Sequence, residues 1–216
     1  MKIPTNWTFQ NKDVADGFDN HVREQLPWYD LATFTVAQIA RHYIPENGTV
    51  LDLGASTGNI ARAIEQTLHD RTADLIAIER SREMCDLYQG AGTLYCADLQ
   101  SFDFPKFNVA IGFLTLMFLP VDERQLVLEQ LLSKAKSGGA IILFDRMEAA
   151  TGYAATALWR LTLSGKVKAG APAQEIIEKE LSLAGVQRPI ARYEYPADAI
   201  EIFRFGDFAG WLIEVK

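Results

Sequence analysis

The segment Val50-Leu51-Asp52-Leu53-Gly54-Ala55-Ser56-Thr57-Gly58-Asn59 constrains this chain more than any other. An apolar run stops at a glycine, a second glycine follows four positions later, and an amphipathic helical pattern then begins. That is the signature of a buried strand, a tight turn and a helix. Gly54 and Gly58 lack a Cβ, so the backbone can turn sharply and let a ligand lie against it. A helix starting near Asn59 aims its free N–H groups at the same place. In an open α/β sheet this is where a ligand sits, at the carboxyl end of a strand.

The rest of the chain fits that frame. Strand patterns at Thr49–Leu53, Leu75–Glu79, Thr93–Cys96, Val109–Leu114 and Ala140–Phe144 alternate with helical ones at Asn59–Leu68, Arg82–Tyr88 and Asp122–Ala135. The strands are apolar in nearly every position, as when helices cover both faces. Upstream, Leu31–Tyr43 reads as a helix and Val14 to Tyr29 as a mixed amphipathic stretch broken by Pro27. The first fifteen or so residues read as polar, irregular and loosely held. Downstream, helices at Ala154–Leu163 and Ala173–Ala184 flank a loop from Ser164 to Pro172, and Pro189–Tyr195 and Phe208–Val215 read as extended. Their short connection forbids a helical crossover, so the finish is antiparallel. The expected fold is therefore α/β: a doubly wound, mainly parallel seven-stranded sheet, helices on both faces and an antiparallel C-terminal strand. One domain is expected over 1–216, with a helical flap at 1–44, a core at 45–216 and a substrate-side helical region at 150–185.

Composition narrows the partners. With 28 Asp and Glu against 21 Lys and Arg, the net charge is −7 and the basic residues are scattered. That disfavours a nucleic-acid backbone and favours a small-molecule substrate. No apolar run reaches the roughly 18–20 residues of a membrane span, and Met1-Lys2-Ile3-Pro4-Thr5-Asn6 lacks the apolar core of a secretory signal. Cys85 and Cys96 form neither a disulfide framework nor a metal spacing. A cytoplasmic protein without a metal is expected, and a homodimer stays open.

The glycine loop by itself has three other readings. Gly54-Ala55-Ser56-Thr57-Gly58 spells the nucleophile elbow of a hydrolase, which needs a histidine late in the chain. The histidines are His21, His42 and His69, so that reading fails. A dinucleotide turn needs glycine where Ser56 stands, and a carboxylate such as Asp52 suits a pyrophosphate badly. A ligand-free structural turn remains, and downstream residues argue against it. Glu79 ends the second strand about twenty residues beyond Gly58, where its two oxygens can accept a pair of ribose hydroxyls. Arg80 and Met84 stand beside it, able to cover a base. Phe113 and Leu114 end the fourth strand, against the reacting centre.

Adding Phe18-Asp19, Pro27-Trp28-Tyr29, the run Thr115 to Leu119, Glu123-Arg124-Gln125 and Phe205-Gly206-Asp207-Phe208, residues 15–216 resemble the class I S-adenosylmethionine-dependent methyltransferases. Within them the likeness is to the carboxy-S-adenosylmethionine synthases of the tRNA wobble-uridine pathway. The resemblance implies that S-adenosyl-L-methionine is the cofactor. Asp52, Gly54, Ala55, Ser56 and Gly58 would then cradle its methionine part, and Tyr29 would cover that end from the flap. Asp98 would accept the adenine amine, with the Leu99 N–H on a ring nitrogen, and Phe113 would form the wall by the methyl group. Two departures stand out: those synthases carry Asn where this chain has Phe113, and their carboxylate-binding arginine has no clear counterpart. The expected activity is methyl transfer from the ordinary donor to a small acceptor. The alternatives are synthase-like non-methyl chemistry and a non-catalytic cofactor-binding subunit. Tyr153, Trp159, Arg146 and Arg160 follow the fifth strand on the expected acceptor side; no catalytic base is legible.

Overall fold

The structure, a computed structural model, describes residues 3–148 and 151–216. Met1, Lys2 and Ala150, which the sequence reading included in the N-terminal stretch and the substrate-side region, lie outside the described residues. Strands β1 (Thr49–Leu53), β2 (Asp74–Glu79), β3 (Thr93–Cys96), β4 (Phe107–Phe113), β5 (Ala135–Arg146), β6 (Ile200–Phe205) and β7 (Phe208–Glu214) form one sheet in the order β3-β2-β1-β4-β5-β7-β6. β1 to β5 pair in parallel, while β7 inserts antiparallel between β5 and β6. The two residues between β6 and β7 are Gly206 and Asp207, and Gly206 takes φ +59°, as a tight hairpin requires.

The helices are α1 (Lys12–Gln25), α2 (Tyr29–Tyr43), α3 (Asn59–Asp70), α4 (Arg82–Cys85), α5 (Val121–Lys134), α6 (Tyr153–Lys168) and α7 (Ala173–Ser182). Side chains alternate across each strand, so each strand feeds two cores. Val50, Val109, Ile111, Ile142 and Phe144 pack towards α2 and α3. Leu51, Leu53, Ala110, Ile141 and Leu143 pack on the other face, towards α5. Among the described residues, no helix is long and apolar enough to cross a membrane.

Several local expectations are corrected. The N-terminal stretch is held rather than loose: Trp7 is buried and its N–H donates to the Ser182 carbonyl at 2.9 Å. The Ser81 hydroxyl donates to the Phe9 carbonyl at 2.7 Å. The stretch read as mixed contains α1, started by Asn11, whose side chain accepts the Asp13 N–H at 2.9 Å. The next-to-last strand is Ile200–Phe205 instead of Pro189–Tyr195. In that earlier segment Arg192–Glu194 form a 3-10 turn, Glu194 accepts the Ala191 N–H at 2.8 Å, and Arg192 donates to the Pro196 carbonyl at 3.0 Å. Finally, α6 runs through Gly165 to Lys168 rather than stopping at Leu163. A Cβ at Gly165 would stand 3.1 Å from the Phe205 ring, so this glycine permits close packing and is not a loop breaker.

Candidate functional site

A cavity of about 270 Å³ opens at the carboxyl ends of β1, β2 and β4, closed over by the N-terminal segment, α1 and α7. Its base is the glycine loop. Gly54 has φ +68°, and a Cβ there would stand 2.6 Å from Thr115 Cγ2. Thr115 cannot easily retreat, because its hydroxyl donates to the Leu53 carbonyl at 2.7 Å. Ser56 and Leu114 also take positive φ, 51° and 58°, although neither is glycine. Left-handed backbone at such residues is strained and clusters where a site demands it.

Two buried carboxyls flank this loop. Glu79 accepts the Ser56 N–H at 2.9 Å on one oxygen and the Ser81 N–H at 2.8 Å on the other. Burial raises its pKa, and these backbone donors oppose the rise. Asp52 is 1% exposed, and its Oδ2 has no partner among the described residues. Burial, with Glu79 adding, raises its pKa to about 7, opposed by the Ala61 N–H in the first turn of α3. A desolvated carboxylate oxygen without a donor is costly unless something cationic or hydrated completes it.

Of the residues singled out in the sequence, Tyr29, Asp52, Gly54, Ala55, Ser56, Glu79, Arg80, Met84, Leu99 and Phe113 all line the cavity. Gly58 does not: it caps α3 at φ +93°, packed against the backbone of Gln89 and Gly90. Nor does Asp98, which is half exposed and paired with Arg80 at 3.5 Å, while its neighbours Ala97 and Leu99 face inward. Tyr29 meets Phe113 edge to face at 5.4 Å, and the Arg23 guanidinium lies 5.2 Å from its ring centroid. Burial raises its hydroxyl pKa above the usual value.

The other half of the cavity was largely missed. Trp7, Phe9, His21, Gln25, Lys166 and Lys179 line it, together with Arg146, which the sequence had placed on the acceptor side. Tyr153, also expected there, is exposed and does not line the cavity; Trp159 touches it only through Arg146, whose guanidinium lies 5.1 Å from the indole. Arg160 is exposed. Arg146 is engaged by Asp207 at 2.7 Å and Glu180 at 3.0 Å, and Lys166 by Glu180 at 3.0 Å. Burial lowers the Lys179 pKa to about 5, with Lys166 adding to the effect. The one signal available was Trp7 and Phe9, two large aromatics in a segment otherwise polar.

Comparison with known proteins agrees with this geometry. The methyltransferase domain family matches residues 50–139, from β1 into β5. The chain is similar to a carboxy-S-adenosyl-L-methionine synthase of Staphylococcus epidermidis, 27% identical over 87% of this chain and 84% of that protein. It is also similar to one of Shewanella denitrificans, 28% identical over 81% of this chain and 76% of the other. Among solved structures, the plantazolicin methyltransferase BpumL, in complex with a monoazolic desmethylPZN analog and SAH, superposes with a TM-score of 0.62 at 16% identity. That likeness covers 95% of this chain and 90% of the other. Human N-acetylserotonin methyltransferase superposes at 0.58 with 11% identity, over 94% of this chain and 56% of its own. The strand order with its inserted antiparallel strand and these structural likenesses show the fold of the class I S-adenosylmethionine-dependent methyltransferases, and the methyltransferase domain family matches the stretch that carries the glycine loop.

Proposed function

We propose that the protein binds S-adenosyl-L-methionine in this cavity and transfers its methyl group in line to a small-molecule acceptor. The observation carrying this reading is the orphaned Asp52 Oδ2 beside a glycine loop that is itself bonded to Glu79. An ammonium group is the partner that oxygen lacks, and the Glu79 carboxylate keeps acceptor capacity for a ribose hydroxyl. When bound, the cofactor supplies an electrophilic methyl carbon on a positively charged sulfur. Tyr29 and Phe113 contribute an apolar wall that excludes water and favours a step in which charge is dispersed. Gly54 keeps the backbone low, so a ligand can lie where a side chain would otherwise stand. Asp98 and Gly58 act from outside the cavity, through Arg80 and through the start of α3. Within the described residues, 3–44 work as a flap, and the acceptor enters between it and α6–α7. Free Cys85 and Cys96 suit a reducing, cytoplasmic setting.

The relatives' printed names favour a second reading, synthase-like chemistry on the same cofactor. Arg146 speaks for the ordinary donor: Asp207 and Glu180 already compensate its charge, and Gln187 takes a further donor, so an added carboxylate meets no uncompensated cation there. Mass spectrometry of co-purified ligand and calorimetry with S-adenosylmethionine, its demethylated product and the carboxylated cofactor test both. Micromolar-class binding of the first two is expected. Absence of binding to all three overturns the assignment, and strong preference for the carboxylated form selects the second reading.

A further inference from the structure

Among the described residues, six buried side-chain polar atoms lack a hydrogen-bonding partner, and three of them share one spot: both ring nitrogens of His21 and Oε1 of Gln25. His21 is 3% exposed and Gln25 4%, so solvent does not serve them. Facing them from α7 is Glu175, whose Oε1 lies 3.4 Å from His21 Nδ1 and accepts the Gln25 amide at 3.0 Å. Glu24 stands three residues after His21 on the same face of α1. One ligand atom from each of His21, Glu24 and Glu175 falls within 4.8 Å of the others.

We propose that His21, Glu24 and Glu175 bind a divalent transition-metal ion that ties α1 to α7 at the edge of the cavity. The 3.4 Å between Nδ1 and Oε1 is the edge length of a coordination sphere whose bonds are about 2.0–2.2 Å. One imidazole with two carboxylates suits zinc, manganese or cobalt(II), with water completing the sphere. The two carboxylates match the charge of the ion. The neighbouring lysines do not cancel them: Glu180 holds Lys166 at 3.0 Å, and the Lys179 amine lies over the Trp7 ring. The imidazole is fixed in place, stacked on Trp7 at 5.6 Å and 27°. Gln25 orients Glu175 from behind, as residues surrounding a metal's ligands commonly do. No sequence spacing discloses the set, since Glu175 stands 150 residues beyond Gln25.

The test uses the full chain, treated with a chelator and dialysed, then titrated with zinc and with manganese by calorimetry and with cobalt(II) by visible absorption. One ion per chain is expected, together with a raised melting temperature. Glu24→Gln, at an exposed position that does not threaten folding, and Glu175→Gln should each weaken uptake about tenfold or more. Both variants should bind S-adenosylmethionine as the unsubstituted protein does. No saturable uptake of any of the three metals would mean that the polar cluster holds only water, and overturns the proposal. Uptake unchanged in both variants overturns it as well, since the ion then sits elsewhere.

Discussion

The Ser56 backbone N–H donates to Glu79 Oε2 at 2.9 Å, which bonds the loop after β1 to the end of β2. The other oxygen is held by the Ser81 N–H at 2.8 Å, so a single carboxylate sets the spacing of the two segments that flank the cavity. The same residue thereby shapes the loop and lines the cavity with acceptor capacity to spare.

Glu79→Gln removes one acceptor oxygen and turns an amide toward a backbone donor. An unsatisfied buried N–H costs about 1–3 kcal/mol. S-adenosylmethionine affinity, measured by calorimetry, should fall about tenfold or more, and Glu79→Ala should do worse. Unchanged affinity in both variants removes Glu79 from the site.

Gly54→Ala places a methyl group 2.6 Å from Thr115 Cγ2 on a backbone at φ +68°. The backbone contribution is about 1 kcal/mol and the crowding adds about 1–3 kcal/mol. Denaturant midpoints should report that loss, and Thr115→Ser in the same chain should recover part of it by deleting the crowding methyl. A fully stable single variant would show the loop to be looser than its contacts indicate.

The pH dependence follows from Asp52. Burial holds its folded-state pKa at about 7, well above the usual carboxylate range. Between roughly pH 4 and 7 the folded chain therefore binds more protons at this group than the unfolded chain does. Stability is lost as pH rises through that window, by an upper bound on the order of 4 kcal/mol. Asp145, also raised to about 7 by burial, adds a loss of the same sign. Asp52→Asn should flatten the decline in urea midpoint between pH 5 and 8. Cofactor affinity should run the other way, strengthening with pH, because an ammonium prefers the ionised carboxylate. Parallel slopes in variant and parent would refute the role given to Asp52.

Asp207→Ala should cost about 3–5 kcal/mol, because it strips the Arg146 guanidinium of a buried partner at 2.7 Å. Glu201→Ala, which breaks the partly exposed pair with Arg204, should cost no more than about 1 kcal/mol. Chemical denaturation of the two variants side by side checks the contrast, and equal losses would contradict it.

What the sequence determined by itself was local or periodic. The strand–turn–helix around Gly54, the alternation from Thr49 to Phe144 and the antiparallel return through Gly206-Asp207 all follow from apolar spacing and turn chemistry within a few residues. So does Glu79, whose place at a strand end is a matter of counting. The penultimate strand and the length of α6 were misplaced because Pro189–Tyr195 carries an extended pattern that Arg192 and Glu194 fold into a turn. Gly165 likewise resembles a helix stop until Phe205 is seen packed against it. Only the tertiary structure decided what closes the cavity. Trp7 and Phe9 lie near the N-terminus, and Lys179 lies on α7. They line one cavity through contacts that no period encodes. Inward and outward assignment after β3 was decided there too: Asp98 pairs with Arg80 outside while Leu99 faces in, a choice set by the turn beyond the strand rather than by its pattern.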